Sequence, residues 1–92
     1  MVTAFILLRA RRGSIKSLAE NLASRQGITE VYSVSGNFDL IAIARVKDND
    51  ALADLVTTEL ADIDDITHSE TMLAFRAFSH HDLQSMFSIG QS

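Results

Sequence analysis

The chain has 92 residues, of which 47% are apolar, and its eight basic and twelve acidic side chains give a formal net charge of −4. This length suits one domain with a modest core and leaves no room for a second folded domain. The acidic balance disfavours direct binding to a polyanion such as DNA, and the absence of cysteine excludes disulfides, thiolate metal sites and thiol nucleophiles.

The N-terminal segment predicts a first strand. Residues 3–10 form a compact apolar run of strand-forming side chains, which is too short to span a bilayer. Arg9 follows within this run, and the sequence around it lacks the small-residue pattern of a signal-peptide cleavage site. We therefore expect a cytoplasmic protein without a membrane segment.

Residues 14–27 carry the pattern of an amphipathic helix. Apolar side chains recur there at helical spacing, at Ile15, Leu18, Ala19, Leu22 and Ala23. Ser14 stands where an N-cap oxygen is useful, and Gly27 stands where a C-terminal cap belongs. We predict the first helix between these two residues.

Two strands joined by a tight turn are predicted next. Residues 28–35 and 38–46 are rich in strand-forming side chains, and only Gly36 and Asn37 separate them. Both residues tolerate the positive φ that a two-residue primed turn requires. The pattern therefore predicts an antiparallel hairpin with a two-residue turn.

A second helix and a last strand complete the order of elements. The polar turn at residues 47–50 supplies a helix cap and precedes an apolar stripe. The stripe consists of Leu52, Leu55, Val56 and Leu60. Acidic residues 62–65 lead to a long strand predicted at residues 66–78. A short helix is predicted at residues 80–87, within the C-terminal extension 79–92.

The order strand, helix, strand, strand, helix, strand predicts an α+β fold, the ferredoxin-like βαββαβ sandwich. We expect one domain over residues 1–92, with a four-stranded antiparallel sheet and both helices on one face. The other face of the sheet then lacks a cover. Burial against a second copy of the chain is the usual physical remedy, so we expect a homo-oligomer that dimerises through the sheet.

The hairpin carries the most specific part of a family resemblance. Its sequence at residues 31–40, VYSVSGNFDL, contains an aromatic strand, a Ser-Gly turn and an aspartate shortly past that turn. Together with Thr71 in the last strand, this segment resembles the effector-binding domain of leucine-responsive and asparagine-type (Lrp/AsnC) transcription regulators. The resemblance covers residues 3–78.

The resemblance implies a regulatory module. In that family the domain normally follows a helix-turn-helix, dimerises through its sheet and assembles into rings such as octamers. Here the first strand begins within a few residues of Met1, which leaves no room for a DNA reader. We therefore expect a stand-alone domain without a helix-turn-helix, which does not contact nucleic acid directly and which co-assembles with full-length regulators of the family.

The resemblance also implies a small-molecule effector, typically an amino acid, bound between dimers. The matching positions are Ser33, Gly36, Asn37 and Asp39 around the turn, with Thr71 and Met72 opposite. A glycine leaves its backbone N–H and C=O groups accessible to a ligand, and a carboxylate such as Asp39 accepts hydrogen bonds from an α-ammonium group. Thr71 would donate to a carboxylate, while Met72 or Ser33 would shape the side-chain pocket. Neither a metal nor a cofactor is implied.

Other interpretations of these residues and of the fold stay open. An aspartate beside a Gly-Asn turn, such as Asp39, is also a common turn-stabilising carboxylate. The same fold serves dimeric α+β barrel enzymes that act on small substrates. Such an enzyme would need a deep pocket lined with His, Asn or Trp, whereas this chain has no Trp. A third interpretation is a pure assembly protein whose effector pocket has decayed. We predict the non-enzymatic, effector-binding function.

Overall fold

A computed structural model describes residues 1–80 of the chain. Its elements are β1 (Val2–Ala10), α1 (Ile15–Ala23), β2 (Ile28–Ser33), β3 (Leu40–Val46), α2 (Asn49–Asp54) and β4 (Ile66–Leu73). This confirms the predicted βαββαβ order. The terminal helix predicted at residues 80–87 falls almost wholly outside the described residues. Within residues 1–80, no helix combines the length and the apolar character that a membrane span needs.

The four strands form one antiparallel sheet in the order β2-β3-β1-β4. Leu8 of β1 lies opposite Leu40 of β3 on one side and opposite Ser69 of β4 on the other. Ser33 of β2 in turn lies opposite Leu40, so Ser33 and Ser69 are the two ends of one row across the sheet. The predicted four-stranded antiparallel sheet is confirmed, with β2 and β4 as its edge strands.

One face of the sheet carries both helices. Successive side chains of a strand point to opposite faces, and three alternating side chains in each of β1 and β3 are fully buried. The buried set is Ala4, Ile6, Leu8, Leu40, Ala42 and Ala44. These side chains form one core with Leu18 and Leu22 of α1 and with Leu55 and Leu60 that follow α2. The predicted placement of both helices on one face is confirmed.

The second helix begins as predicted and ends in a less regular way. Asp48 Oδ1 accepts from the N–H of Ala51 at 2.8 Å, which satisfies one free N–H group of the first turn. All four residues of the predicted apolar stripe belong to the core or pack against it. After α2 the chain continues through a wide π-helical turn at Leu55–Glu59 and a 3-10 turn at Leu60–Asp62.

The ends of α1 differ from the sequence-based expectation. Ser14 occupies the N-cap position, but its side chain makes no capping hydrogen bond to the described helix. Its carbonyl accepts from the N–H of Leu18 at 2.9 Å. The C-cap is Ser24, so Gly27 does not cap the helix. Gly27 instead leads into β2 with φ 94°, and its carbonyl accepts from the N–H of Arg45 at 2.8 Å.

Substitution of Gly27 is expected to destabilise the fold. A Cβ atom there would stand 3.1 Å from Cγ1 of Val46, and φ 94° is unfavourable for any L side chain. We expect Gly27→Ala to lower the free energy of unfolding by about 1–3 kcal/mol, measured by urea denaturation. Gly36→Ala is the matched control, because Gly36 has φ 105° but nothing within 4 Å of its added Cβ. Equal losses in the two variants would contradict a contribution from the close contact.

The predicted two-residue turn of the hairpin is wrong. β2 ends at Ser33 and β3 begins at Leu40, so residues 34–39 form the connection, which we call the hairpin loop. Gly36 has the positive φ that was predicted for it, but Asn37 does not. The antiparallel pairing of the two strands is confirmed.

The longer loop is explained by contacts that draw its last two residues toward β1. Asp39 donates its N–H to the carbonyl of Leu8 at 2.9 Å and accepts through Oδ2 from the N–H of Ala10 at 2.9 Å. The ring of Phe38 lies 5.7 Å from the guanidinium carbon of Arg9. Asp39 also keeps a hydrogen bond to the residue after β2, since its carbonyl accepts from the N–H of Val34 at 3.0 Å, and the contacts with β1 add to that bond. They depend on where β1 lies, which the Gly-Asn pair alone does not indicate.

The last strand is shorter than predicted. The sequence predicts a strand through residue 78, whereas β4 ends at Leu73. One further hydrogen bond joins the N–H of Ala74 to the carbonyl of Thr3 at 2.9 Å. By then β1 has reached its own N-terminal end, so the residues from 74 to 78 continue outside the sheet.

Candidate functional site

The face of the sheet opposite the helices has an apolar centre. The half-buried side chains of β1 and β3 point to this face, between the fully buried positions. Tyr32 on β2 and Met72 on β4 flank them with 50% and 51% of their surface exposed. We call this set the open face: Phe5, Leu7, Tyr32, Ile41, Ile43 and Met72. An apolar sheet face with half-exposed side chains at both edges is a candidate surface for protein–protein interaction.

Charged groups lie at two corners of the open face. At the corner of β2 and β3, Arg45 Nη1 lies 3.6 Å from Glu30 Oε1. The hydroxyl of Tyr32 donates to the other carboxylate oxygen of Glu30. At the corner of β1 and β4, His68 Nε2 lies 3.8 Å from Glu70 Oε1. An apolar centre with a polar rim is the usual composition of a protein–protein contact surface.

The bond to Glu30 raises the pKa of the Tyr32 hydroxyl, because the carboxylate accepts the phenolic proton and repels the phenolate. The fold therefore favours neutral Tyr32, and this stabilisation is complete below pH ~10 and is lost as the pH rises through the raised pKa. Tyr32 is the only tyrosine, and the chain has no tryptophan, so ultraviolet titration reports this group alone. We expect a higher midpoint in the wild-type protein than in Glu30→Gln. Equal midpoints would show that the bond does not form.

Four of the six predicted ligand residues lie on the hairpin loop or beside it. Ser33, Gly36 and Asn37 are exposed, and Asp39 is half-buried. Gly36 has no heavy atom within 4 Å of the place where a Cβ would stand, so its backbone faces open space. The tip of the loop is therefore accessible to a ligand.

Asp39 fastens the hairpin loop to the end of β1. Its Oδ2 accepts the N–H of Ala10 at 2.9 Å, and its own carbonyl accepts the N–H of Val34 at 3.0 Å. A backbone N–H at the end of the β1–β3 ladder is thus paired with a side chain. The turn-stabilising role weighed for Asp39 is present in the structure.

Removal of the Asp39 carboxylate is expected to cost stability. Asp39→Ala leaves the N–H of Ala10 without its acceptor, so we expect the free energy of unfolding to fall by about 1–3 kcal/mol. Chemical denaturation measures this loss. Glu20→Ala, which removes an exposed carboxylate from α1, should change it by less than about 0.5 kcal/mol. A loss in Asp39→Ala no larger than in Glu20→Ala would contradict the structural role.

The other two predicted ligand residues lie at the opposite edge of the sheet. Thr71 pairs with Ile6 and Met72 pairs with Phe5, so Thr71 is on the helix side of β4 and Met72 is on the open face. Ser33 on β2 is three strand spacings away from β4, a separation of about 14 Å. One chain therefore does not bring the six residues into one pocket.

Three grooves occur elsewhere on the described part of the chain. One of about 300 Å³ lies between the turns after α2 and the start of β4, with Val56, Leu60 and Thr67 among its walls. A second, of about 450 Å³, lies between α2 and the loop before β2, and a third, of about 590 Å³, lies beside the start of β1. None of these three is lined by the six predicted ligand residues. Among residues 1–80, no group of three His, Asp or Glu side chains is arranged to hold a metal ion.

A contact between the hairpin loop and β4 is not predicted by the sequence. The rings of Phe38 and His68 stack with their centroids 6.1 Å apart and their planes inclined by 19°. Arg9, which lies opposite His68 in the sheet, also faces the ring of Phe38. No local signal marks this contact, because the two rings are brought together only by the register of β1 with β4.

Comparison with known proteins identifies a family. The model of the Lrp/AsnC ligand binding domain matches residues 3–83. The HTH-type transcriptional regulator FL11 of Pyrococcus horikoshii is 29% identical over 73 residues, which make up 79% of this chain and 48% of that protein. The chain thus spans about half the length of the curated relatives it matches.

Solved structures share the fold. The protein TTHA0845 from Thermus thermophilus is 41% identical with a TM-score of 0.81, and the match covers 87% of this chain and 100% of that one. The transcriptional regulator NMB0573 from Neisseria meningitidis, solved as a complex with L-Met, has a TM-score of 0.78 over 86% of this chain and 53% of that one. At 16% identity, this second likeness concerns the fold alone.

Proposed function

The chain belongs to the Lrp/AsnC ligand-binding domain family, and on that premise we propose that it is an effector-binding and oligomerisation module of transcriptional regulation. The observation that carries the proposal is the pairing of an apolar sheet face, which no other element of residues 1–80 covers, with an accessible hairpin loop on one small domain. The family match and the regulators among its relatives support the same role. The proposed role is non-enzymatic, and such a regulator would work in the cytoplasm.

The open face is the proposed dimer contact. Its apolar side chains would be buried in both subunits at once if two copies met around a two-fold axis, because such a contact uses the same surface twice. Burial of the half-exposed Tyr32 would add to the hydrophobic gain, while Met72, on edge strand β4, lies where the open face borders the proposed effector site. Dimers would assemble further, into an octamer or a similar ring. A full-length regulator of the same family carries an equivalent domain and is a second proposed partner.

The proposed effector site lies between subunits. Within one chain Ser33 of β2 and Thr71 of β4 are about 14 Å apart, too far to share a small ligand, but the loop of one dimer could meet Thr71 of another. The ligand class is a small metabolite with charges of both signs, above all an amino acid. Its ammonium group would meet Asp39 Oδ1, since Oδ2 is bonded to Ala10, and its carboxylate would meet the hydroxyl of Thr71. Ser33, Gly36, Asn37 and Met72 complete the site.

The effector would act by changing the state of assembly. A ligand shifts an equilibrium only by the difference between its affinities for the two states. A site formed by two dimers exists only in the larger assembly, so its ligand binds that state selectively. Regulation then follows from the number of subunits, without direct contact between this chain and DNA.

A ligand screen coupled to a size measurement tests the proposal. Thermal stability and subunit number, from light scattering, are measured with L-methionine and then with each other common amino acid. We expect one of them to raise the melting temperature and the subunit number together. Asn37→Ala and Thr71→Ala, one from each half of the site, should abolish the response, whereas Thr58→Ala, at an exposed position after α2, should retain it. No response to any amino acid, or a response that survives both site variants, would refute the proposed site.

A further inference from the structure

The aromatic ring of Phe38 connects two regions that the proposed function uses separately. Phe38 belongs to the hairpin loop, yet its ring lies 6.1 Å from the ring of His68 on β4 and 5.7 Å from the guanidinium carbon of Arg9 on β1. The near-parallel inclination of 19° is that of stacked rings, which is a favoured arrangement for two aromatic groups. The loop thus reaches across the end of β1 to the far edge strand.

The contact lies on the side of the open face. Arg9 and His68 are directly opposite each other in the sheet, so their side chains share a face. On β1 that face is the one of Phe5 and Leu7, because the buried residues alternate with them. The ring of Phe38 therefore stands at the rim of the surface that is proposed to meet a second copy.

The loop is held firmly on one side of Phe38 and loosely on the other. Asp39 is fixed by hydrogen bonds to Leu8, Ala10 and Val34. Gly36 and Asn37 are exposed, and Gly36 adopts φ 105°. A ligand that moves the tip of the loop would meet resistance at Asp39, so the motion would be taken up at residue 38, whose ring rests on β4.

We propose that Phe38 is a positioning residue that transmits the conformation of the hairpin loop, through its stack on His68, to β4 and the rim of the open face. The expected consequence is that a ligand bound at the loop changes the affinity between two copies of the chain, and this consequence rests on the proposed function. The link between the loop and β4, by which we mean the stack of Phe38 on His68, requires neither a ligand nor association. Its expected size is that of ordinary coupling between two sites, about fivefold or more in an equilibrium constant.

The first test detects the link in any assembly state. Gly36→Ala forces the loop tip away from its positive φ without a steric clash, and the His68 ring is followed by NMR, its signals assigned by their loss in His68→Gln. We expect Gly36→Ala to shift the His68 signals in the wild-type background and to leave them unchanged in the Phe38→Leu background. Gly13→Ala, with φ 82° and no close contact, is the matched control and should not move them. Unchanged signals in Gly36→Ala, or equal shifts with and without the Phe38 ring, would overturn the inference.

The second test asks whether the link reaches association. The dimer dissociation constant is measured for Gly36→Ala, Phe38→Leu and the double variant, which form a double-mutant cycle. We expect Gly36→Ala to change the constant about fivefold or more alone and less than about twofold in the Phe38→Leu background. Equal changes in both backgrounds would show that association is independent of the stack. A protein that stays monomeric would refute the association in the proposed function, while the His68 signals would still decide for or against the link.

Discussion

Leu7→Lys is expected to convert the associated protein into a folded monomer. Leu7 lies at the centre of the open face, opposite Ile41 on β3 and Glu70 on β4, and is half-buried in the single chain. A lysine there can extend its ammonium group into water as long as the face is open. In a dimer the same charge would be buried against apolar side chains, so we expect the dissociation constant to rise by a factor of roughly 100 or more, about 3 kcal/mol.

Sedimentation velocity over a range of protein concentrations measures this change. Ile15→Lys is the matched control, because Ile15 is a large apolar residue with 41% of its surface exposed, but it lies on α1, away from the open face. Circular dichroism should show an unchanged fold in both variants. If Leu7→Lys keeps the wild-type subunit number, or if both variants dissociate alike, the open face is not the contact between copies.

Leu22→Ala is expected to remove much of the stability of the domain. Leu22 is 0% exposed and packs in the single core formed by α1, the sheet and the turns after α2. Truncation of a fully buried leucine loses the transfer free energy of its side chain and leaves a cavity, which together cost about 3–4 kcal/mol. Domains of this size are stable by roughly 5–15 kcal/mol, so the variant should unfold at a much lower urea concentration.

Ile15→Ala is the control for Leu22→Ala, since it truncates a partly exposed residue of the same helix. We expect it to cost less than about 1 kcal/mol. Because association adds to apparent stability, both variants should be compared at equal protein concentration and again in the monomeric Leu7→Lys background. A loss in Leu22→Ala no larger than in Ile15→Ala would contradict the core assigned to α1.

The sequence by itself determined the order of elements, the buried side of the helices and the family. Helical spacing at Leu18 and Leu22 predicted the buried side of α1, and apolar runs of strand-forming residues predicted β1 and β3. Local chemistry also predicted a helix cap within the polar turn at residues 47–50, and the structure places it at Asp48. These features depend on residues that are close together in the chain, so their spacing can be determined from the sequence alone.

Only the tertiary structure decided the geometry of the hairpin loop and the division of the predicted site. Asp39 contacts Ala10, and Phe38 contacts Arg9 and His68, and these partners are distant in sequence. The β4 strand ends where β1 begins, a length set by the partner and not by its own residues. Strand order then places Thr71 about 14 Å from β2. Each of these outcomes depends on which strands are neighbours and in what register, and a pattern of local propensities does not contain that information.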